Sequence, residues 1–260
     1  RHPRRAVPAR GCLSMDLSEV STSTDCRHPW ESVRFRFFRD RLRDAGVLDR
    51  PVRVLDVGAG DGWFAARLLD ELPPGSAVTC WDSGYESDAD SARSIAQDDP
   101  RLNCTASRPT GQFDLVLLLD VLEHVPDDVG FLRSIVEGNL APGGRALVSV
   151  PAWPVLFGAH DRNLRHLRRY TPRTAAELLR GAGLPILRRG GLFHTLLAPR
   201  SLQTVRERLL PGAPAPRHDL GTWRHGPVFT GLVERALSLD VALASAASRA
   251  GLELPGLSWW

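Results

Sequence analysis

Glycines stand at positions 58, 60 and 62, directly behind the apolar run Val52-Arg53-Val54-Leu55-Asp56-Val57 and ahead of a segment with helical spacing. Residues without a β-carbon at alternate positions let the backbone turn tightly and let a ligand lie against it. An apolar run of this length, bounded by glycine, reads as a strand buried on both faces, and such strands belong to parallel sheets. The helix that follows opens with free backbone N–H groups. Strand, glycine turn and helix in this order put a ligand at the carboxyl edge of an open α/β sheet. The spacing is G-x-G-x-G, so the third glycine of the dinucleotide fingerprint G-x-G-x-x-G is missing.

The alternation continues along the chain. Trp30 to Ala45 has amphipathic helical spacing and ends before Arg50-Pro51. Gly62 to Leu72 reads as a helix closed by Pro73-Pro74-Gly75, Ala77 to Trp81 as a strand and Ala89 to Asp98 as a helix. Leu102 to Thr105 is a short strand and Phe113 to Leu119 a strongly apolar one. Asp128 to Asn139 is a helix, Ala141-Pro142-Gly143-Gly144 a turn, and Arg145 to Val150 a fifth strand stopped by Pro151. Right-handed crossovers turn this order into a doubly wound sheet covered on both faces. Pro172 to Ala182 is a further helix, stopped by Gly183. Ile186 to Leu197 is expected as a strand, residues 199–227 as irregular, Val228 to Ala250 as a long Ala/Leu-rich helix, and Pro255 to Trp260 as the start of a last strand.

The charge balance removes several alternatives. The net charge is +3, and all 33 basic residues are Arg, which reads as GC-rich bacterial coding bias before it reads as phosphate recognition. Without a concentrated basic face, a nucleic-acid partner is not expected. Cys12, Cys26, Cys80 and Cys104 form no C-x-x-C pair, which argues for reduced thiols, a cytoplasmic location and no zinc finger. No segment approaches the roughly 20 apolar residues of a membrane span. Residues 1–14 are Arg- and Pro-rich, lack the apolar core of a secretory signal, and are expected to be a disordered leader before Met15.

Asp56 precedes the glycines in D-V-G-A-G-D-G, where it accepts from the amino group of an amino-acid-bearing ligand or holds the loop. The run Val54 to Gly62 resembles the first motif of class I S-adenosylmethionine (SAM)-dependent methyltransferases. Asp82, ending Val78-Thr79-Cys80-Trp81-Asp82, matches the acidic residue that grips the ribose hydroxyls in that family. Phe113-Asp114-Leu115-Val116 through Asp120-Val121-Leu122-Glu123-His124-Val125 looks like its fourth-strand motif, and Leu140-Ala141-Pro142-Gly143-Gly144-Arg145 like the turn before its fifth strand. The third-strand motif departs from the common pattern, with Thr105-Ala106-Ser107 where many relatives carry an Asp near adenine. The resemblance covers roughly residues 50–185. It implies a Rossmann-like, doubly wound, mostly parallel seven-stranded sheet with an N-terminal lid helix and a C-terminal helical extension. The corresponding divisions are lid helices over 15–49, a SAM-binding core over 50–198 and an extension over 199–260. It implies SAM as cofactor, with S-adenosylhomocysteine as its product. The expected cofactor residues are Asp56, Gly58, Ala59, Gly60, Gly62, Trp63, Asp82, Ser83, Asp120, Val121 and His124.

After the fifth strand the chain carries Phe157-Gly158-Ala159-His160-Asp161 and then His166-Leu167-Arg168-Arg169-Tyr170-Thr171. This resembles a small-molecule subgroup of the same family with an H-D-x-x-L-x-H-x-R-R-Y loop, associated with natural-product or cell-envelope chemistry. Methyl transfer to oxygen is an in-line displacement that needs an aligned nucleophile and a place for its proton. His160, Asp161 and His166 are therefore the catalytic candidates, an imidazole with pKa near 6.5 being suited to the task. Trp30, Trp153, Arg168, Arg169 and Tyr170 are the substrate-binding candidates. Asp161 paired with Arg168 or Arg169, merely holding the loop, is the structural alternative. No metal site is expected, because the spacing of His160, Asp161 and His166 does not place them on one helical face. A small-molecule acceptor, no transmembrane segment, peripheral membrane contact through Leu192 to Leu210, and a monomer or homodimer complete the expectations. An inactive SAM-binding module is the alternative, and an NAD-dependent oxidoreductase a weaker one.

Overall fold

The computed structural model describes residues 27–87, 99–210, 223 and 225–260. The expectations for residues 1–14 and for a helix over Ala89 to Asp98 lie outside the described residues. The strands are β1 (Arg53–Val57), β2 (Ala77–Trp81), β3 (Leu102–Thr105), β4 (Phe113–Leu119), β5 (Leu140–Pro151), β6 (Gly191–Leu192) and β7 (Ser258–Trp259). They form one seven-stranded sheet in the order β3-β2-β1-β4-β5-β7-β6. The first five are parallel, and β7 runs antiparallel to both β5 and β6. The strand order reverses between β1 and β4, which is the switch point where open α/β sheets bind ligands.

Both faces of the sheet are buried, and alternate side chains feed separate cores. From β4, Leu115, Leu117 and Leu119 join Val54, Val78 and the phenylalanines of α1 (Pro29–Asp44). Val116 and Leu118 join Leu55, Val57 and the apolar residues of α3 (Asp128–Asn139), Leu132 and Ile135. This period of two explains why β4 reads as an uninterrupted apolar run. The remaining helices are α2 (Trp63–Leu69), the short α4 (Ala159–Asn163), α5 (Pro172–Gly181), α6 (Leu197–Leu209) and α7 (Pro227–Arg249). Phe35 of α1 meets Trp63 and Phe64 of α2 edge to face, fixing α1 against the glycine corner.

Three expectations need correction. Strand β5 begins at Leu140, which pairs with Phe113 across a register shift, so Ala141-Pro142-Gly143-Gly144 is an irregularity within the strand and not a turn before it. The strand expected over Ile186 to Leu197 shrinks to Gly191–Leu192. It survives there because Gly191 lies against the backbone of Gly256, where a β-carbon would collide. The first part of 199–227 is not irregular: α6 covers Leu197–Leu209 and crosses the expected 198/199 boundary. Asp240 of α7 accepts the backbone N–H groups of His194 and Thr195, both at 2.9 Å, and so fixes the entry to α6.

Candidate active site

The carboxyl ends of β1, β2 and β4 converge on the glycine turn. Gly58, Gly60 and Gly62 have φ values of +66°, +57° and +68°. These left-handed conformations cost a residue with a β-carbon roughly 1–2 kcal/mol each. The loop is held down from β2: Gly58 donates to the Trp81 carbonyl at 2.7 Å, and Ala59 does so more weakly at 3.4 Å. Asp82 accepts the Gly60 N–H at 2.9 Å and the Gly84 N–H at 2.8 Å. Tyr85, three residues beyond Asp82, donates its hydroxyl to the Gly60 carbonyl at 2.7 Å. A β-carbon at Gly58 would meet Val121 Cγ2 at 2.8 Å, so β4 closes directly onto the turn.

Burial sets the electrostatics of this corner. Asp56 is 3% exposed. Burial, followed by the neighbouring Asp82 charge, pushes its carboxyl up to about 7. Burial also raises Asp82, against the two glycine amides that stabilise its anion. Ser83 Oγ is buried beside it without a hydrogen-bond partner. Trp63 carries the Arg27 guanidinium over its ring at 4.9 Å, and Arg27 also pairs with Asp61. On the third-strand side, the Trp81 indole donates to the Ala106 carbonyl at 3.3 Å.

The run Asp120 to His124 leads from this corner to the loop after β5. Asp120 has φ +59°, a left-handed backbone that few non-glycine residues adopt. It is held by Ser149, whose hydroxyl donates to Oδ1 at 3.0 Å, and by Arg34 of α1, 2.7 Å from Oδ2. Glu123 is fully buried, and neither carboxylate oxygen has a hydrogen-bond partner. Burial pushes its carboxyl well above the ordinary range, and Asp120 adds to the effect. The His124 ring meets the His166 ring edge to face, centroids 4.8 Å apart.

Asp161 is fully buried at the hub of the following loop. Oδ1 accepts from Arg169 Nε at 2.6 Å and lies 3.0 Å from His166 Nδ1. Oδ2 accepts from Arg200 at 2.8 Å and from the Gly158 N–H at 2.9 Å. Burial alone would raise the Asp161 carboxyl, but His166 and Arg169 hold it well below the carboxylate range. Both oxygens of Asp161 are thus engaged by groups of the loop and of α6. Burial and the Arg200 charge lower the half-buried His160 imidazole to about 4, so it is neutral at physiological pH.

The substrate candidates are turned to the frame. Arg168 donates to the Pro126 carbonyl and pairs with Asp128 at 2.9 Å. Arg169 is buried and also donates to the Ala152 carbonyl. Tyr170 is buried, its hydroxyl donating to Asp128 at 2.7 Å. The Trp153 indole donates to the Gly256 carbonyl, and its ring packs on Trp259. Trp30 packs edge to face on Phe193 and carries Arg34 over its ring. Trp153, Arg168, Arg169 and Tyr170 each give at least one polar group to the protein itself. The sequence did not single out Arg34, Tyr85 or Arg200, whose partners lie far along the chain; only the position of Tyr85 just past Asp82 hinted at a role.

Residues 30–188 match the family model described as a methyltransferase domain. The ubiquinone biosynthesis O-methyltransferase of Xanthomonas axonopodis pv. citri (strain 306) is 30% identical over 190 residues, spanning 64% of this chain and 74% of that protein. The protein of the same name from Escherichia fergusonii is 31% identical over 104 residues, spanning 37% and 42%. The solved structure of an O-methyltransferase family protein from Burkholderia thailandensis is 19% identical, with a TM-score of 0.47 over 58% of this chain and 51% of that one. Among the described residues, no helix is long and apolar enough to cross a membrane. With a family model spanning more than half of its length, the chain belongs to the methyltransferase domain family and is a SAM-dependent methyltransferase.

Proposed function

We propose that the chain methylates a hydroxyl oxygen of a small-molecule acceptor. The observation that carries this reading is the continuity of Asp120 to His124: Val121 abuts the glycine turn, while His124 touches His166 on the loop after β5. One short segment thus joins a corner fit for the nucleoside and amino-acid ends of SAM to a polar wall fit for an acceptor. The residues suit that cofactor. The buried Asp56 carboxylate is matched to an ammonium group, and the orphaned Ser83 hydroxyl beside Asp82 to ribose hydroxyls. Gly58 and Gly60 leave no β-carbon in the way, and Trp63 flanks the turn. When bound, SAM supplies an electrophilic methyl group on a sulfonium centre.

The chain's own residues orient the acceptor and give its proton a route away. Glu123, His124 and His166 form the polar end of the site, with Asp161 fixing the His166 ring. His160, neutral at physiological pH, remains a secondary acceptor of hydrogen bonds. The O-methyltransferase names of the relatives support oxygen over nitrogen or carbon. The natural-product or cell-envelope context stays the expected setting for the acceptor.

Titration calorimetry with S-adenosylhomocysteine, with NAD as control, tests the cofactor half. Saturable binding of the first alone is expected. Methyl-labelled SAM with a panel of phenols, alcohols and amines tests the acceptor half. Label in ether products supports the reading. Label confined to amines would overturn the oxygen assignment, and binding with no transfer to any acceptor class would favour an inactive binding module.

A further inference from the structure

Glu123, His124 and His166 each bring one ligand atom to a common point, and these atoms lie within 4.8 Å of one another. Two of the residues come from the turn after β4 and one from the loop after β5. The two segments are tied together by the Leu167 N–H, which donates to the Glu123 carbonyl at 2.8 Å. His166 Nε2 lies 4.0 Å from Glu123 Oε1. Two atoms about 2.1 Å from a shared cation are at most about 4.2 Å apart, so this pair already has bridging separation.

The other end of His166 supports ligation. Its Nδ1 is 3.0 Å from Asp161 Oδ1, and its Nε2 lies on the Glu123 side. A carboxylate behind the imidazole is the usual outer arrangement of a metal-bound histidine. The second indication is Glu123 itself. Its side chain is fully buried, neither carboxylate oxygen has a hydrogen-bond partner, and Oε1 faces His166 Nε2 across 4.0 Å, a separation that one cation can bridge.

We propose that Glu123, His124 and His166 bind one divalent cation, with Asp161 as the carboxylate behind His166. Two imidazoles and one carboxylate suit a first-row ion such as Zn²⁺, Mn²⁺ or Co²⁺ better than Ca²⁺ or Mg²⁺, which favour all-oxygen shells. Three protein ligands leave a coordination position open, as catalytic sites do. This deepens the methyltransferase reading, because the open position lies on the polar wall assigned to the acceptor and suits a hydroxyl or phenolate oxygen.

The test is titration of the purified, chelator-stripped chain with Co²⁺, followed by visible absorption, and with Zn²⁺, followed by calorimetry. One equivalent is expected to bind, with an imidazole-type cobalt spectrum. Glu123→Gln, His124→Gln and His166→Gln should each weaken it at least tenfold, and His225→Gln should not change it. Far-UV circular dichroism verifies that each variant folds. No binding to the unmodified chain would overturn the proposal without appeal to any variant, as would binding that all three ligand variants retain. S-adenosylhomocysteine binding is read separately: if it persists while no cation binds, the site assignment fails and the methyltransferase reading stands.

Discussion

The glycine corner and the loop after β5 lie along the same sheet edge but are organised by different forces. In the corner, the backbone does the shaping: three left-handed glycines, a turn tied to Trp81, and two amides on Asp82. In the loop, side chains do it, with Asp161 gathering His166, Arg169 and Arg200 inside the protein. A backbone-built site leaves polar groups over for a ligand, as Ser83 shows. A side-chain-built loop consumes its charges internally, which is why an Arg- and His-rich sequence yields so few free contacts.

The sharpest way to break this contrast is Asp161→Ala. It strands two buried guanidinium groups, and losing one partner of a buried pair costs about 3–5 kcal/mol. Urea unfolding should show a loss of that size; a loss under about 1 kcal/mol would mean that the loop is not built on Asp161. Gly58→Ala should come next, at about 1–2 kcal/mol for the left-handed backbone. The contact with Val121 adds a local displacement, so S-adenosylhomocysteine affinity should fall at least tenfold by calorimetry while the loop stays intact.

A third prediction concerns pH. Asp56 faces Asp82, Asp61 and Arg34, and its carboxyl is raised to about 7. Below that value the carboxyl is protonated, and docking an ammonium group must first expel the proton. Affinity for S-adenosylhomocysteine should therefore rise by up to about tenfold per pH unit towards 7 and level off above it. Asp56→Asn should flatten the profile; an unchanged slope would place the titrating group elsewhere. The smallest effect is expected of Tyr170→Phe, which removes one hydrogen bond to Asp128 and should cost about 0.5–1.5 kcal/mol in the same urea experiment.

Much of the fold was legible because β1, β2 and β4 are buried on both faces and advertise it as apolar runs. Helix α6 was hidden because its pattern is inverted: Arg200 and Thr204 are buried, while Leu202, Val205 and Leu209 face outward. A reading that puts apolar residues inside cannot recover such a helix, since Arg200 is drawn in by an aspartate 39 residues earlier. Strand β6 was overestimated because its length depends on a backbone approach to Gly256. The glycine corner announced itself by spacing. Glu123 and His124 stood out as part of the Asp120-to-Val125 motif, but Glu-His after a strand reads equally as a helix entry until the burial of Glu123 is seen.

Strand β7 lies between β5 and β6 although it is the last strand in sequence. Its Trp259 indole donates to the Tyr170 carbonyl, and the nearby Gly256 carbonyl receives the Trp153 indole. Closing a loop from residue 151 to residue 258 is entropically slow compared with pairing neighbours. On a ribosome, then, β1 to β5 and the glycine corner are free to assemble early, while Trp153 and Tyr170 wait for residues 256 to 259 to complete their packing. The far end of the sheet is thus completed last, and a tryptophan completes it.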